Sequence, residues 1–141
     1  MIDIKSLIPH REPFLFVDEV VELSQEEIVA RKVFTDSEDF YSGHYPDHPI
    51  TPGVILCETV FQTAAILVLK RFKLEEGMQP VLARIEDARF KSIVPPNEPL
   101  IIFANLIEKC GQFFIMSGKI VKANDQSLVL KIKFTLALTN A

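Results

Sequence analysis

Cysteine is scarce in this chain, which holds only two among its 141 residues, Cys57 and Cys110. Neither belongs to a Cys-x-x-Cys pair or to a histidine-rich run with zinc-ligand spacing, so the sequence indicates no metal site. Residues 1–14 also lack the apolar core and the cleavage site of a signal peptide. We therefore expect two reduced thiols in a cytoplasmic protein, because disulfides form mainly in oxidising compartments.

Positive charge and long apolar runs are limited as well. The 15 Lys and Arg residues are outnumbered by 19 Asp and Glu residues, and no basic run is present, so we expect no nucleic-acid binding. No segment reaches the ~20 uninterrupted apolar residues of a membrane helix. The richest, residues 54–69, is interrupted by Glu58, Thr59, Gln62 and Thr63. Since linkers and repeats are lacking too, we expect one domain over residues 1–141.

The pattern of apolar residues predicts an α+β fold. A helix over 52–72 is favoured by Pro52 at its start, with Thr51 as its cap, and by basic residues at its end. The helix is apolar on nearly every face, which is typical of a helix enclosed by other structure. Strands are predicted at residues 14–21, 27–34, 80–90, 100–108, 113–122 and 128–138. The simplest arrangement is a strongly bent antiparallel sheet around one central helix, with open edges that a second copy would cover.

His44 and Glu58 are the leading candidates for chemistry. His44 lies in the proline-rich loop of residues 43–49, which holds an imidazole in a fixed place, as proton abstraction requires. Glu58 lies on the apolar helix, where burial would raise the pKa of its carboxyl group and make it a proton donor. Such a pair suits the elimination of water beside a polarised carbonyl group.

Other residues near this pair have both ordinary and functional explanations. Gly53 serves a turn, and it also leaves room for a substrate carbonyl to approach the N–H groups of a helix start. Gln62 lies one turn after Glu58, where it either orients the carboxyl group or is a satisfied buried amide. His10 reads as a surface or loop-ordering residue. His48 with His44 has no established metal-ligand spacing, so no metal is expected.

The ordered motifs closely resemble the beta-hydroxyacyl-acyl-carrier-protein dehydratases of bacterial type II fatty-acid synthesis. The matching segments run along nearly the whole chain: Pro-His-Arg-x-Pro-Phe-Leu-x-Val-Asp at 9–18, Gly-His-Tyr-Pro at 43–46, Pro-Gly-Val at 52–54, Glu58-x-x-x-Gln62, and Ala-Arg-Phe-Lys at 88–91. The resemblance implies a hotdog fold and an activity that needs no cofactor. It also implies a homodimer, or a trimer of such dimers, with active sites shared between copies.

The same resemblance implies the substrate and the roles of site residues. The substrate is a (3R)-3-hydroxyacyl group on the phosphopantetheine arm of acyl carrier protein, which loses water to give a trans-2-enoyl thioester. His44 is implied as the general base and Glu58 as the general acid, facing each other across the dimer interface. Gly53, Val54 and Gln62 are implied to bind the substrate.

Arg89 and Lys91 are candidate docking charges for the acidic carrier, although basic residues on a solvated face are the ordinary explanation. The chain departs from the family where Pro96-Asn97-Glu98 replaces Pro-Gly-Asp and where Cys57, Thr59 and Phe61 surround Glu58. The departures around Glu58 leave open a dehydratase of a specialised polyketide or aryl-polyene pathway. Two further alternatives are a hotdog acyl thioesterase and an acyl-binding module without activity, although the presence of both His44 and Glu58 weighs against the module.

Overall fold

The computed structural model describes residues 1–140, so Ala141 of the predicted domain lies outside the described residues. Its elements are α1 (Ile4–Leu7), β1 (Glu19–Leu23), β2 (Glu27–Val33), a short 3-10 helix (Asp39–Ser42), α2 (Gly53–Arg71), β3 (Met78–Phe90), β4 (Pro99–Cys110), β5 (Phe113–Lys122) and β6 (Leu128–Asn140). The strands form one antiparallel sheet in the order β1-β2-β4-β5-β6-β3. This sheet around one long helix confirms the predicted hotdog fold.

Helix α2 is the centre of the hydrophobic core. Every residue from Leu56 to Val68 except Glu58 is buried, and the buried side chains of β2, β4, β5 and β6 pack around the helix. By length and composition α2 could cross a membrane, but 67% of its most apolar window is buried inside the protein. The helix is therefore best explained as the core helix that the sequence predicts.

Gly118 of β5 lets the sheet approach α2 closely. A Cβ atom at this position would overlap Cγ1 of Val60 on the helix and lie 2.9 Å from the carbonyl oxygen of Phe103. Gly118 pairs with Ala104 of β4 and Ile132 of β6, so it lies inside the sheet rather than at a turn. A residue without a side chain is needed here because the helix occupies that space.

Two predictions about local structure are wrong. Residues 14–18 are not a strand, since β1 begins at Glu19; instead the backbone N–H of Phe16 donates to the Gln62 side chain on α2. This segment is apolar because it packs against the helix, with the Phe14 and Phe16 rings 4.7 Å apart. Thr51 does not cap α2 either, because Pro52 is the N-cap residue and the Thr51 hydroxyl bonds to that of Tyr41.

Strand β3 lies at the end of the sheet, and one of its edges has no strand beside it within residues 1–140. Residues 81–90 are exposed throughout. By register with the buried strand β6, Leu82 and Ile85 lie on the helix-facing side of the sheet, opposite Leu136 and Phe134. Apolar side chains that face inward and remain exposed indicate a surface that another molecule covers.

Candidate functional site

Glu58 lies in the wall of a small cavity of about 240 Å³ between α2, the segment before Phe14 and the start of β3. The lining is largely apolar and comprises Pro9, His10, Glu58, Phe61, Gln62, Ala65, Gln79, Pro80, Val81, Leu82 and Leu136. Burial raises the pKa of the Glu58 carboxyl group above its ordinary value, and the hydrogen bond from Gln62 opposes this in part. The site can therefore hold a carboxylic acid that donates a proton at a pH where exposed carboxyl groups are ionised.

Gln62 fixes both Glu58 and the neighbouring segment. Its Nε2 atom donates to Oε2 of Glu58 at 3.0 Å and to the carbonyl oxygen of Phe14 at 2.9 Å. Its Oε1 atom accepts the backbone N–H of Phe16 at 2.8 Å. The two explanations offered by the sequence are thus both correct, because this buried amide is satisfied and also orients Glu58.

The start of α2 presents free backbone N–H groups beside an aromatic ring. The first N–H groups of a helix have no partner within the helix, and they carry its positive dipole end. A Cβ atom on Gly53 would lie 3.0 Å from the Phe90 ring of β3, so glycine permits this close contact. Val54 points outward and is 76% exposed. Its side chain is therefore accessible and does not belong to the core.

His44 is held in its loop by one hydrogen bond. Its Nδ1 atom lies 2.9 Å from the carbonyl oxygen of Ile50, and its ring packs edge-on against that of Tyr45. Because a carbonyl oxygen only accepts, Nδ1 carries a hydrogen, so in the neutral ring the lone pair is on Nε2. This tautomer is the one that a general base at Nε2 needs.

His44 and Glu58 are not brought together within one chain. In the described residues no hydrogen bond or ion pair joins them, and His44 is absent from the lining of the Glu58 cavity. Within a single copy, the candidate base and the candidate acid therefore belong to separate environments.

The structure instead places His10 beside Glu58, where the sequence predicts a surface or loop-ordering residue. Nε2 of His10 lies 3.6 Å from Oε2 of Glu58, and the two side chains are 28% and 24% exposed. Burial lowers the pKa of His10, with a smaller contribution from Arg11. Since burial raises the pKa of Glu58, both shifts favour a neutral imidazole beside a neutral carboxylic acid rather than an ion pair.

Arg89 and Lys91 lie outside the Glu58 cavity. Arg89 pairs with Lys131 in the register of β3 and β6, on the outer face of the sheet, and its Nε is 3.1 Å from a carboxylate oxygen of Asp87. Lys91 is exposed just after β3, where its backbone N–H donates to Val129. In residues 1–140 no group of three or more His, Cys, Asp or Glu side chains is arranged to hold a metal ion.

Comparison with solved structures identifies the same fold. The dehydratase heterocomplex ApeI:P from Xenorhabdus doucetiae aligns with a TM-score of 0.80 at 15% identity, covering 99% of this chain and 93% of that one. A hypothetical thioesterase with coenzyme A from Streptococcus pneumoniae aligns with a TM-score of 0.68 at 16% identity, covering 86% and 85%. These similarities concern the fold alone.

Sequence comparison is more specific. The FabA-like domain family matches residues 8–133. The 3-hydroxyacyl-[acyl-carrier-protein] dehydratase FabZ of Petrotoga mobilis is 40% identical, over 82% of both chains. The FabZ of Streptococcus agalactiae is 34% identical, over 99% of this chain and 100% of its own. The family resemblance is confirmed, and the chain belongs to the FabA-like family as a relative of the FabZ dehydratases.

Proposed function

We propose that this chain is a cofactor-independent hydro-lyase that removes water from a (3R)-3-hydroxyacyl group carried by acyl carrier protein, in cytoplasmic fatty acid biosynthesis. The whole of residues 1–141 would form one catalytic domain. The observation that carries the proposal is the carboxyl group of Glu58 in the wall of an apolar cavity, where burial raises its pKa, in a chain of the FabZ kind. An acid kept neutral by burial is what the departure of a hydroxyl group requires.

The reaction follows from three groups. Nε2 of His44 removes a proton from C2 of the thioester, and the resulting charge on the carbonyl oxygen is stabilised by the backbone N–H of Gly53. Glu58 gives its proton to the 3-hydroxyl group, which leaves as water while the C2–C3 double bond forms. Val54 and Gln62 border the substrate. Gln62 also orients Glu58 through its hydrogen bond. Water then carries one proton from His44 to Glu58 for the next cycle.

The acid and the base would come from two copies of the chain. Supporting this, the Glu58 cavity includes Val81 and Leu82 of the open edge strand β3. A second copy that pairs along β3 would close the cavity and deliver its own His44 to it. The proposed unit is a homodimer with two shared sites, alone or as three such dimers.

Besides a second copy of the chain, the proposed partner is the carrier protein that holds the substrate. Its phosphopantetheine arm would bring the acyl group to the helix start, and its acidic surface would meet basic residues of this chain. Arg89 and Lys91 are exposed and suited to that contact, although Asp87 already neutralises Arg89 in part.

Mixing two inactive variants tests the shared sites. His44→Ala and Glu58→Gln are each expected to lose activity by at least about 100-fold, as removal of a general base or acid does. Unfolding and refolding the two together should restore about a quarter of the wild-type rate, because half of the dimers are mixed and each mixed dimer keeps one intact site. If both side chains acted within one chain, the mixture would stay inactive.

The wild-type assay separates the dehydratase from its alternatives. Purified protein is incubated with aliphatic and with aryl-substituted 3-hydroxyacyl thioesters on carrier protein, and enoyl absorbance and free thiol are both followed. Enoyl formation supports the proposal, and the faster substrate class separates fatty acid from aryl-polyene chemistry. Thiol release without enoyl product would identify a thioesterase, and binding without turnover would identify an acyl-binding module.

A further inference from the structure

We infer that His10 is a positioning residue for Glu58, which it orients by directing Nε2–H toward the carboxyl oxygen Oε2. The inference rests on the proposed function, because it concerns the proposed acid of the reaction. Glu58 and His10 are 48 residues apart in sequence, and the fold brings them together in the wall of one cavity.

The contacts of the His10 ring are unusual for a structural histidine. Its Nδ1 atom is buried and has no hydrogen-bond partner within residues 1–140. A buried polar atom without a partner costs stability, so a ring retained only for packing would pair that nitrogen or be replaced by an apolar side chain. The remaining nitrogen, Nε2, faces Glu58 at 3.6 Å. The polar interaction of this imidazole is thus directed at the proposed acid.

The hydrogen-bond pattern assigns the proton of Glu58. Gln62 Nε2 is a donor and lies 3.0 Å from Oε2, so Oε2 accepts and the acid proton belongs on Oε1. A neutral His10 with its hydrogen on Nε2 adds a second donor to Oε2 and leaves only a lone pair on the buried Nδ1. Oε1 is then the oxygen that remains to carry the acid proton.

The same arrangement favours the proton transfer. When Oε1 gives its proton to the departing hydroxyl group, negative charge develops on the carboxylate, and the N–H groups of His10 and Gln62 stabilise it. The 3.6 Å separation exceeds hydrogen-bond length before reaction, and such contacts tighten as the reaction proceeds.

Burial, followed by the nearby charge of Arg11, lowers the pKa of His10 and so favours its neutral form. Arg11 donates to the carbonyl oxygens of Ile8, His10 and Lys5 and holds positive charge beside the ring. Lys5 of α1 pairs with Glu12 at 3.0 Å. From α2 the facing titratable group is Glu58 itself, and the cavity residues of β3 and β6 are uncharged: Gln79, Pro80, Val81, Leu82 and Leu136.

The test compares His10→Phe and His10→Asn with wild type from about pH 5 to about pH 9, the range in which histidine titrates. The phenylalanine variant keeps the volume of the ring, so it can still be tested if the asparagine variant does not fold. Loss of the Nε2–H donor should lower kcat about tenfold and leave KM within about twofold, as expected for an interaction made in the transition state. The basic limb of the kcat profile should move to higher pH, because the Glu58 carboxylate has lost a donor.

His48→Asn is the matched control, since His48 is exposed in its loop and should give the wild-type profile. A second readout does not need turnover: carboxyl ¹³C chemical shifts of Glu58 are titrated in wild type and His10→Phe. The carboxyl group should titrate at higher pH in the variant. An unchanged Glu58 titration, or a rate loss uniform at every pH, overturns the inference. A shifted Glu58 titration in the variant, together with no turnover by the wild-type protein, would instead refute the proposed function and leave the inference standing.

Discussion

At the scale of single residues, Glu58 is the position where stability and chemistry conflict. Its carboxyl group lies in an apolar cavity wall, and the side chains that contact it, Gln62 and His10, are neutral. Because no lysine or arginine pairs with it within residues 1–140, the group remains in place at the cost of a poorly solvated charge whenever it ionises. Active sites commonly retain such groups because a neutral acid is useful there.

Glu58→Gln should therefore stabilise the protein while abolishing turnover. Burial raises the pKa of Glu58 above its ordinary value of 4.5. The folded state binds the extra proton, so stability is highest below the unfolded pKa and decreases as pH rises through the folded pKa. The amide should add about 1 kcal/mol to the free energy of unfolding at about pH 8 and nothing near pH 4. Urea denaturation at both pH values measures this, and equal effects at both would contradict it.

At the scale of secondary-structure elements, the helix and the later strands could be predicted from sequence. The sequence predicts a helix over 52–72, and α2 spans Gly53–Arg71. The prediction is accurate because a long apolar segment that begins at a proline and ends in basic residues is compatible with few other structures. Residues 14–18 were wrongly predicted as a strand. A short apolar run that packs on a helix through Phe16 has the same composition as a buried strand.

The site could be predicted in part, for a related reason. His44, Gly53, Glu58 and Gln62 lie within twenty residues, and their types and spacing suggest chemistry without knowledge of the fold. The contact between His10 and Glu58 depends on how the N-terminal segment lies on α2, which Gln62 fixes through Phe14 and Phe16. No local pattern encodes a contact across that separation, so the sequence predicts only a surface or loop-ordering role for His10.

The close approach of β5 to α2 gives a prediction at this scale. Gly118→Ala should lower the free energy of unfolding by about 1–3 kcal/mol, because the new methyl group overlaps Val60 and the Phe103 carbonyl oxygen. Gly43→Ala is the matched control, since a Cβ atom there meets nothing within 4 Å. Denaturation midpoints measured in urea give both values. A Gly118→Ala protein as stable as Gly43→Ala would show that the sheet and helix can separate freely.

At the scale of the whole molecule, the sheet has an edge strand, β3, with no strand beside its outer edge within residues 1–140. Strand β3 offers a free edge and exposed apolar side chains on the helix-facing side, among them Leu82 and Ile85. The opposite end of the sheet, β1, is short and carries Glu19 and Glu22, as protected edges commonly do. The two edges therefore differ in a way that favours association through β3.

Ile85→Lys should convert the protein into a folded but inactive monomer. Ile85 is 46% exposed in one copy, so lysine is tolerated there, whereas in the proposed dimer it would bury a charge. Sedimentation velocity reports the mass and circular dichroism reports the fold. Val21→Lys, at an apolar residue of β1 that is 41% exposed, is the control and should leave the oligomer intact. An active Ile85→Lys dimer would exclude association through this strand.

The unpaired edge of β3 also bears on partner choice in the cell. Hydrogen bonds along a strand edge are made by backbone groups, so they do not distinguish this chain from another with the same fold. Discrimination must then come from the side chains that β3 presents, such as Leu82, Ile85 and Phe90, and from the charges near them. Where two chains of this fold are made together, a few substitutions along one strand would decide whether they assemble separately or exchange subunits, and each exchange would combine the acid of one enzyme with the base of another.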